Sequence, residues 1–349
     1  LIFRYITKIK YYIFVIVKIL RYILFPIVPI YFLVTWIRNK FYDYGIFKST
    51  EFKVATICVG NLSVGGTGKT PMIEYLIRLL KDDFQLATLS RGYKRSTKGF
   101  MLADEFSNAS TLGDEPFQFY NKFKEIVVSV DEDRRNGISK LLQLDEQPDV
   151  ILLDDAYQHR KVKATFNILL TAHHNLYSED IVLPTGDLRE PRNGAKRADF
   201  IVVTKCPDSL SEGDKLKIIK SLKPRNYQEV FFSSIAYSDK IKNNSEEKSL
   251  AFLAQKDFTL VTGIANAQPL VDFLKAKNLS FEHLNYDDHH NFTSKEMEGL
   301  KSKKFILTTE KDFVRLSPNF EDKDQLFFLP IELTIDRPEV FAKIIKSKI

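Results

Sequence analysis

From Lys53 onward the chain alternates short apolar runs with stretches of helical length. The runs at 54–59, 86–89, 126–130, 150–153, 166–170 and 200–203 are four to six residues long, the length of strands buried on both faces. Helix-length segments between them imply crossover connections, and hence a mostly parallel sheet flanked by helices. A second, weaker series at 258–263 (FTLVTG), 281–284, 305–307 and 326–329 predicts a smaller α/β lobe. The polar stretch 239–248 (DKIKNNSEEK) between the two series is the expected linker. The expected domains are an N-terminal segment at 1–45, a larger α/β domain at 46–238 and a C-terminal α/β domain at 249–349.

The N-terminal segment follows neither pattern. Positions 22–37 read YILFPIVPIYFLVTWI, sixteen residues with only Thr35 polar, after a stretch where Arg4, Lys8, Lys10, Lys18 and Arg21 interrupt apolar and aromatic residues. A spanning helix needs about 20 apolar residues, and Pro26 and Pro29 argue against one straight helix. The pattern suits an anchor at the membrane surface, with cationic stems snorkelling and Trp36 at headgroup level; a single spanning helix is the alternative. No small-residue cleavage site follows the run, which argues against a cleavable signal.

Charge supports that division. The net charge is +6, yet 1–42 hold seven Lys or Arg and no Asp or Glu, which leaves −1 for the remainder. The body is not basic, so no nucleic-acid partner is expected. Cys58 and Cys206 stand far apart, which implies neither a disulfide framework nor a zinc site and suits a reducing compartment.

The chemistry begins where the first strand runs into GNLSVGGTGKTP (60–71) and then the periodic stretch MIEYLIRLL. Strand, glycine-rich turn and helix follow in the order a nucleotide phosphate site requires. The expected nucleotide-binding residues are Ser63, Val64, Gly65, Gly66, Thr67, Gly68, Lys69 and Thr70. Backbone N–H groups would curl around the phosphates, Lys69 would reach the outer ones, and Thr70 would offer its hydroxyl to Mg²⁺. Ser63 stands where the P-loop pattern has glycine, which is tolerable if its φ stays negative. A carboxylate at a strand end should hold the metal's water shell, and ILLDDAYQHR supplies Asp154 and Asp155. Spacing does not choose between them, and strand-end aspartates also form turns. Gln158 and His159 beside them are candidates for supporting the carboxylates or touching substrate.

With SRGYKR (90–95), GDEP (113–116), LPTGDLREP (183–191), DDHHNFT (287–293) and LTTEKDFVRL (307–316), these segments make the chain resemble the tetraacyldisaccharide 4′-kinase family. The resemblance implies ATP- and Mg²⁺-dependent phosphorylation of the 4′-hydroxyl of a tetraacylated glucosamine disaccharide 1-phosphate, a step of lipid A biosynthesis. It places that work at the cytoplasmic face of a bacterial inner membrane, with a membrane lipid as partner and no obligate protein partner. By resemblance Asp114 is the candidate general base, Glu115 a metal partner beside Thr70, Asp154 and Asp155, and His289 the group that orients Asp114. Arg134, Arg189 and Glu190 resemble family positions near phosphate or acceptor. Ala156 and Tyr157 stand where the family usually shows Gly and Phe.

Plainer readings accompany these. An acid pair before Pro116 is a good helix start, adjacent histidines are often solvated, and an arginine can simply open a helix. TTEKD (308–312) follows a strand and is read as structural. The rival enzyme class is a membrane-associated P-loop ATPase switch; Thr204-Lys205-Cys206-Pro207-Asp208 superficially resembles a guanine-reading element, but its Asn is Thr and its Asp comes one residue late. A scaffold that merely binds ATP would leave the acid and histidine cluster without purpose.

Overall fold

A computed structural model describes residues 21–207, 209–264, 266–288, 290, 292–322 and 324–349. The chain divides into two compact units, one formed by the residues up to Lys69 with Asp155–Ser233, the other by Thr70–Asp154 with Ser234–Ser347. In chain order the first strands are β1 (Ala55–Asn61), β2 (Leu86–Ser90), β3 (Met101–Leu102), β4 (Val127–Val130), β5 (Val150–Asp154), β6 (Phe166–Ala172), β7 (Phe200–Thr204) and β8 (Glu229–Tyr237). Each of the six apolar runs of the first series is a strand, and β3 and β8 are additions that periodicity did not mark.

In the first unit β8, β7, β6 and β1 lie side by side and parallel, with Ile57 opposite Phe166 and Ile168 opposite Phe200. Phe166, Phe200 and Phe231 form a row across three strands, with ring centroids 4.8 and 4.7 Å apart. Such cross-strand aromatic pairs fix the register of a buried sheet. Gly60, near the end of β1, leaves room for a neighbour: a Cβ there would come 2.6 Å from the Tyr157 Cβ. Tyr157 is buried, and its hydroxyl donates to the Gly194 carbonyl at 2.9 Å.

The same unit carries the helix Val28–Asp43, preceded by a 3-10 turn at Phe25–Ile27. Both prolines fall at helix starts, where a missing N–H costs nothing, so they set where the helix begins and do not kink it. None of its residues is buried. Polar ties hold it: the Tyr31 hydroxyl donates to the Arg189 carbonyl (2.9 Å), Asn39 Nδ2 to Glu190 Oε2 (2.6 Å), and Arg160 and Lys196 pair with Asp43 at 2.9 and 2.7 Å. Ile23, Phe25, Ile30, Leu33 and Val34 are exposed. Among the described residues no helix is long and apolar enough to cross a membrane.

In the second unit β5, β2 and β4 run parallel, with β3 antiparallel to β4 at the edge. Helix Lys69–Leu80 presents Met72, Ile73, Leu76, Ile77 and Leu80 inward, the apolar stripe its sequence predicts. A second sheet contains β9 (Lys240–Lys242), β10 (Glu247–Ser249), β11 (Phe258–Thr262), β12 (Phe281–Asn285), β13 (Ile306–Thr309) and β14 (Leu326–Leu329), in the order β10-β9-β14-β13-β11-β12. Its core gathers Leu260, Leu274, Leu307 and Phe327. The expected linker is therefore partly ordered: β9 and β10 pair antiparallel, and Lys240 and Lys242 both reach Glu247, at 2.5 and 2.7 Å. Alternating cations and an acid suit an exposed ribbon as well as they suit a linker.

Candidate active site

The phosphate loop belongs mostly to the first unit. Gly65 and Gly68 take φ +101° and +85°, the left-handed side of backbone space where a Cβ would be strained. Ser63 is not among the residues of positive φ; it forms an antiparallel bridge with Leu188, and Val64 N donates to the Asp187 carbonyl at 2.8 Å. A serine replaces the glycine of the pattern because this position is extended backbone, which any residue adopts. Further in, Asn61 Nδ2 donates to Thr67 Oγ1 (2.8 Å), Thr204 Oγ1 to the Thr67 carbonyl (2.8 Å) and Lys205 Nζ to the Gly66 carbonyl (2.6 Å).

Two cations converge on Asp155. Lys69 Nζ stands 3.6 Å from its Oδ1, and Arg189 Nη1 donates to both carboxylate oxygens at 3.0 and 3.1 Å. Asp155 itself holds the left-handed conformation after β5, at φ +46°, so Ala156 is spared it and the departure from Gly costs nothing there. The neighbours divide their work. Glu190 is only 2% exposed, with Arg197 Nη2 and Gln158 Nε2 on Oε1 (2.6 and 3.0 Å) and Arg197 Nη1 and Asn39 on Oε2 (3.0 and 2.6 Å). Gln158 also donates to the Asn61 carbonyl at 2.8 Å, linking the end of β1 to that buried pair. His159 closes a turn through its N–H on the Ala156 carbonyl at 2.8 Å.

In the second unit Thr70 follows Lys69 in the first turn of its helix, and Asp154 ends β5 with Oδ2 accepting from Ser90 Oγ at 3.2 Å. Arg134, 2% exposed, donates to the carbonyls of Asp131 (3.0 Å) and Asp154 (3.2 Å), which secures two strand ends. The Thr70 hydroxyl and a strand-end carboxylate are hard oxygen donors. They suit Mg²⁺, which takes one or two protein carboxylates and completes its shell with water and phosphate oxygens. No group of three or more metal-type side chains exists among the described residues.

Asp114 and Glu115 open the helix Asp114–Lys122, after Gly113 at φ +96°. A second helix, Glu310–Leu316, meets it through charge. Arg315 donates to Asp114 Oδ2 through Nε (3.2 Å) and through Nη2, Lys311 stands 3.6 Å from Glu115, and Lys122 reaches Glu310 at 2.6 Å and Glu74 at 2.7 Å. Burial works against the Arg315 charge, but the hydrogen bond and field of Asp114 outweigh it and raise its pKa. Arg315 is held in turn by Asp312, fully buried, whose Oδ2 accepts from Gly263 N (2.8 Å) and Thr309 Oγ1 (2.7 Å). Burial, and then the nearby Glu74, push the Glu310 carboxyl up to about 7.

His289, the expected partner of Asp114, lies outside the described residues. Its neighbour His290 meets Glu296 Oε2 at 3.0 Å and stacks on Tyr286. The sequence reading missed Lys205, Lys311 and Arg315. Lys311 and Arg315 are four apart and so share one helix face, a signal that TTEKD followed by FVR carried and that a structural reading set aside.

Residues 20–349 match the family model LpxK, tetraacyldisaccharide-1-P 4′-kinase. The chain belongs to that family. The kinase is 52% identical to the tetraacyldisaccharide 4′-kinase of Flavobacterium johnsoniae over 320 residues, 91% of this chain and 93% of that one. It is 43% identical to the tetraacyldisaccharide 4′-kinase of Bacteroides thetaiotaomicron over 335 residues, 89% and 88% of the two chains. A crystal structure of LpxK from Aquifex aeolicus in complex with ATP matches the kinase with a TM-score of 0.76 at 30% identity, covering 94% of this chain and 99% of that one. The α/β fold with mostly parallel sheets is common to both.

Proposed function

We propose that the chain transfers the γ-phosphate of ATP to the 4′-hydroxyl of a tetraacylated glucosamine disaccharide 1-phosphate, with Asp114 as general base and His289 orienting it. The observation that carries the reading is Asp114 at a helix start with Arg315 upon its Oδ2, which fixes the carboxylate in one orientation. In the step, the 4′-oxygen bonds to the γ-phosphorus as its proton passes to Asp114 and the bond to the β–γ bridging oxygen breaks, releasing ADP. Lys69 and the N–H groups of the phosphate loop bind the phosphates and offset the charge that develops on them. Thr70 and Asp154, with Glu115 as a further candidate, would hold Mg²⁺, which would supply charge neutralisation at the phosphate oxygens. Arg189 is a second phosphate cation once it leaves Asp155, and Arg134, Gln158, His159 and Glu190 support the site from behind.

A lipid acceptor gives the exposed apolar side of helix Val28–Asp43 a role at a membrane surface, the cytoplasmic face of the inner membrane. The test is γ-phosphate transfer in detergent by the intact chain, Lys69→Ala and Asp114→Ala. Product phosphorylated at the 4′ position, lost in both variants, supports the reading; free phosphate without lipid product would instead indicate an ATPase switch.

A further inference from the structure

Lys205, just past β7, has φ +58°, in the left-handed region that disfavours any side chain. Glycine would make this turn without strain, so what the Lys205 side chain contacts is the feature that distinguishes this position. Its ammonium donates to the Gly66 carbonyl at 2.6 Å, while the adjacent Thr204 hydroxyl donates to the Thr67 carbonyl at 2.8 Å. Two successive carbonyls in the middle of the phosphate loop are thus drawn toward the end of β7. In a trans peptide the N–H points opposite to the C=O of the same plane. Holding the Gly66 and Thr67 carbonyls therefore turns the N–H groups of Thr67 and Gly68 the other way.

We propose that Lys205, with Thr204, is a positioning residue of the nucleotide site, locking two peptide planes of the loop so that the Thr67 and Gly68 N–H groups are aimed at phosphate before nucleotide arrives. The proposal rests on the nucleotide reading above. Preorganisation of this kind raises affinity because the loop loses less freedom on binding.

The strain supplies a diagnostic variant. Lys205→Gly removes the clamp while relieving the backbone, so it separates a positioning role from a folding role; Lys205→Met keeps the stem and loses only the ammonium. Titration with a fluorescent ATP analogue, thermal melting and steady-state kinetics are run on both, with Lys205→Arg and Lys69→Met beside them. We expect Lys205→Gly to melt no lower than the parent, both Gly and Met variants to bind ATP about tenfold more weakly, and Lys205→Arg to recover part of the loss. The KM for ATP should rise while kcat changes little. Unchanged affinity in the Gly and Met variants, with Lys69→Met weakened, overturns the proposal and leaves the nucleotide reading standing. Affinity lost only in step with a falling melting temperature also overturns it. Unchanged affinity in Lys69→Met as well would sink the nucleotide reading and the proposal with it.

Discussion

Replacing Arg315 by methionine keeps the stem and removes the guanidinium that joins Asp114 to Asp312. Cutting one partner from a fully buried ion pair costs about 3–5 kcal/mol. The full figure does not apply: the Asp114 side chain is 20% exposed and can rehydrate, and Asp312 keeps its bonds from Gly263 N and Thr309 Oγ1. We expect a loss of about 2–3 kcal/mol, read from urea melts at neutral pH, which leaves most of the chain folded at a typical stability of about 5–15 kcal/mol. The pH dependence follows from Asp312, whose pKa burial already raises. A carboxyl with its folded pKa above its unfolded one contributes stability at low pH that is lost as pH rises through the folded value. Without Arg315 that rise should grow, so on going from acid to neutral pH the variant should lose more stability than the parent. With Asp114 no longer held, kcat should fall roughly ten- to a hundredfold while ATP binding persists. Unchanged melts at both pH values together with unchanged kcat would refute the reasoning.

Two further expectations are simpler. With Glu310 pushed up to about 7 from 4.5, the parent should lose stability as pH rises through that window; Glu310→Gln should flatten the slope and be about 1–2 kcal/mol more stable than the parent at pH 8, by urea melts. Gly60→Ala should destabilise the fold by about 1–3 kcal/mol, because its methyl would overlap the Tyr157 Cβ on buried backbone that cannot yield; an unchanged melting temperature would contradict this.

The strands of the first series were legible because a parallel sheet buried on both faces writes itself as continuous apolar runs, and the phosphate loop because its glycines and Lys69 are contiguous. Short edge strands were not. Met101–Leu102 are only half-buried, and the three-residue strand Lys240–Lys242 buries a single side chain, Ile241, so neither writes a periodic pattern that separates it from a loop. The site was legible only as far as it is local: Asp154, Asp155 and Asp114 stood out in their own motifs, whereas the Arg315–Asp114 pair joins residues 201 apart. Glu190 shows the same limit. Its motif gives no sign that its carboxylate is held by Arg197, Gln158 and Asn39 inside the fold.

Asp155 draws Lys69 and Arg189 onto one carboxylate. On the proposed reading, any triphosphate entering the cradle would compete with a tethered anion that never diffuses away. Part of the attraction these cations offer would be cancelled in advance, and the carboxylate would be at hand to take them back when the diphosphate leaves. Such an internal competitor would trade tightness of grip for speed of exchange.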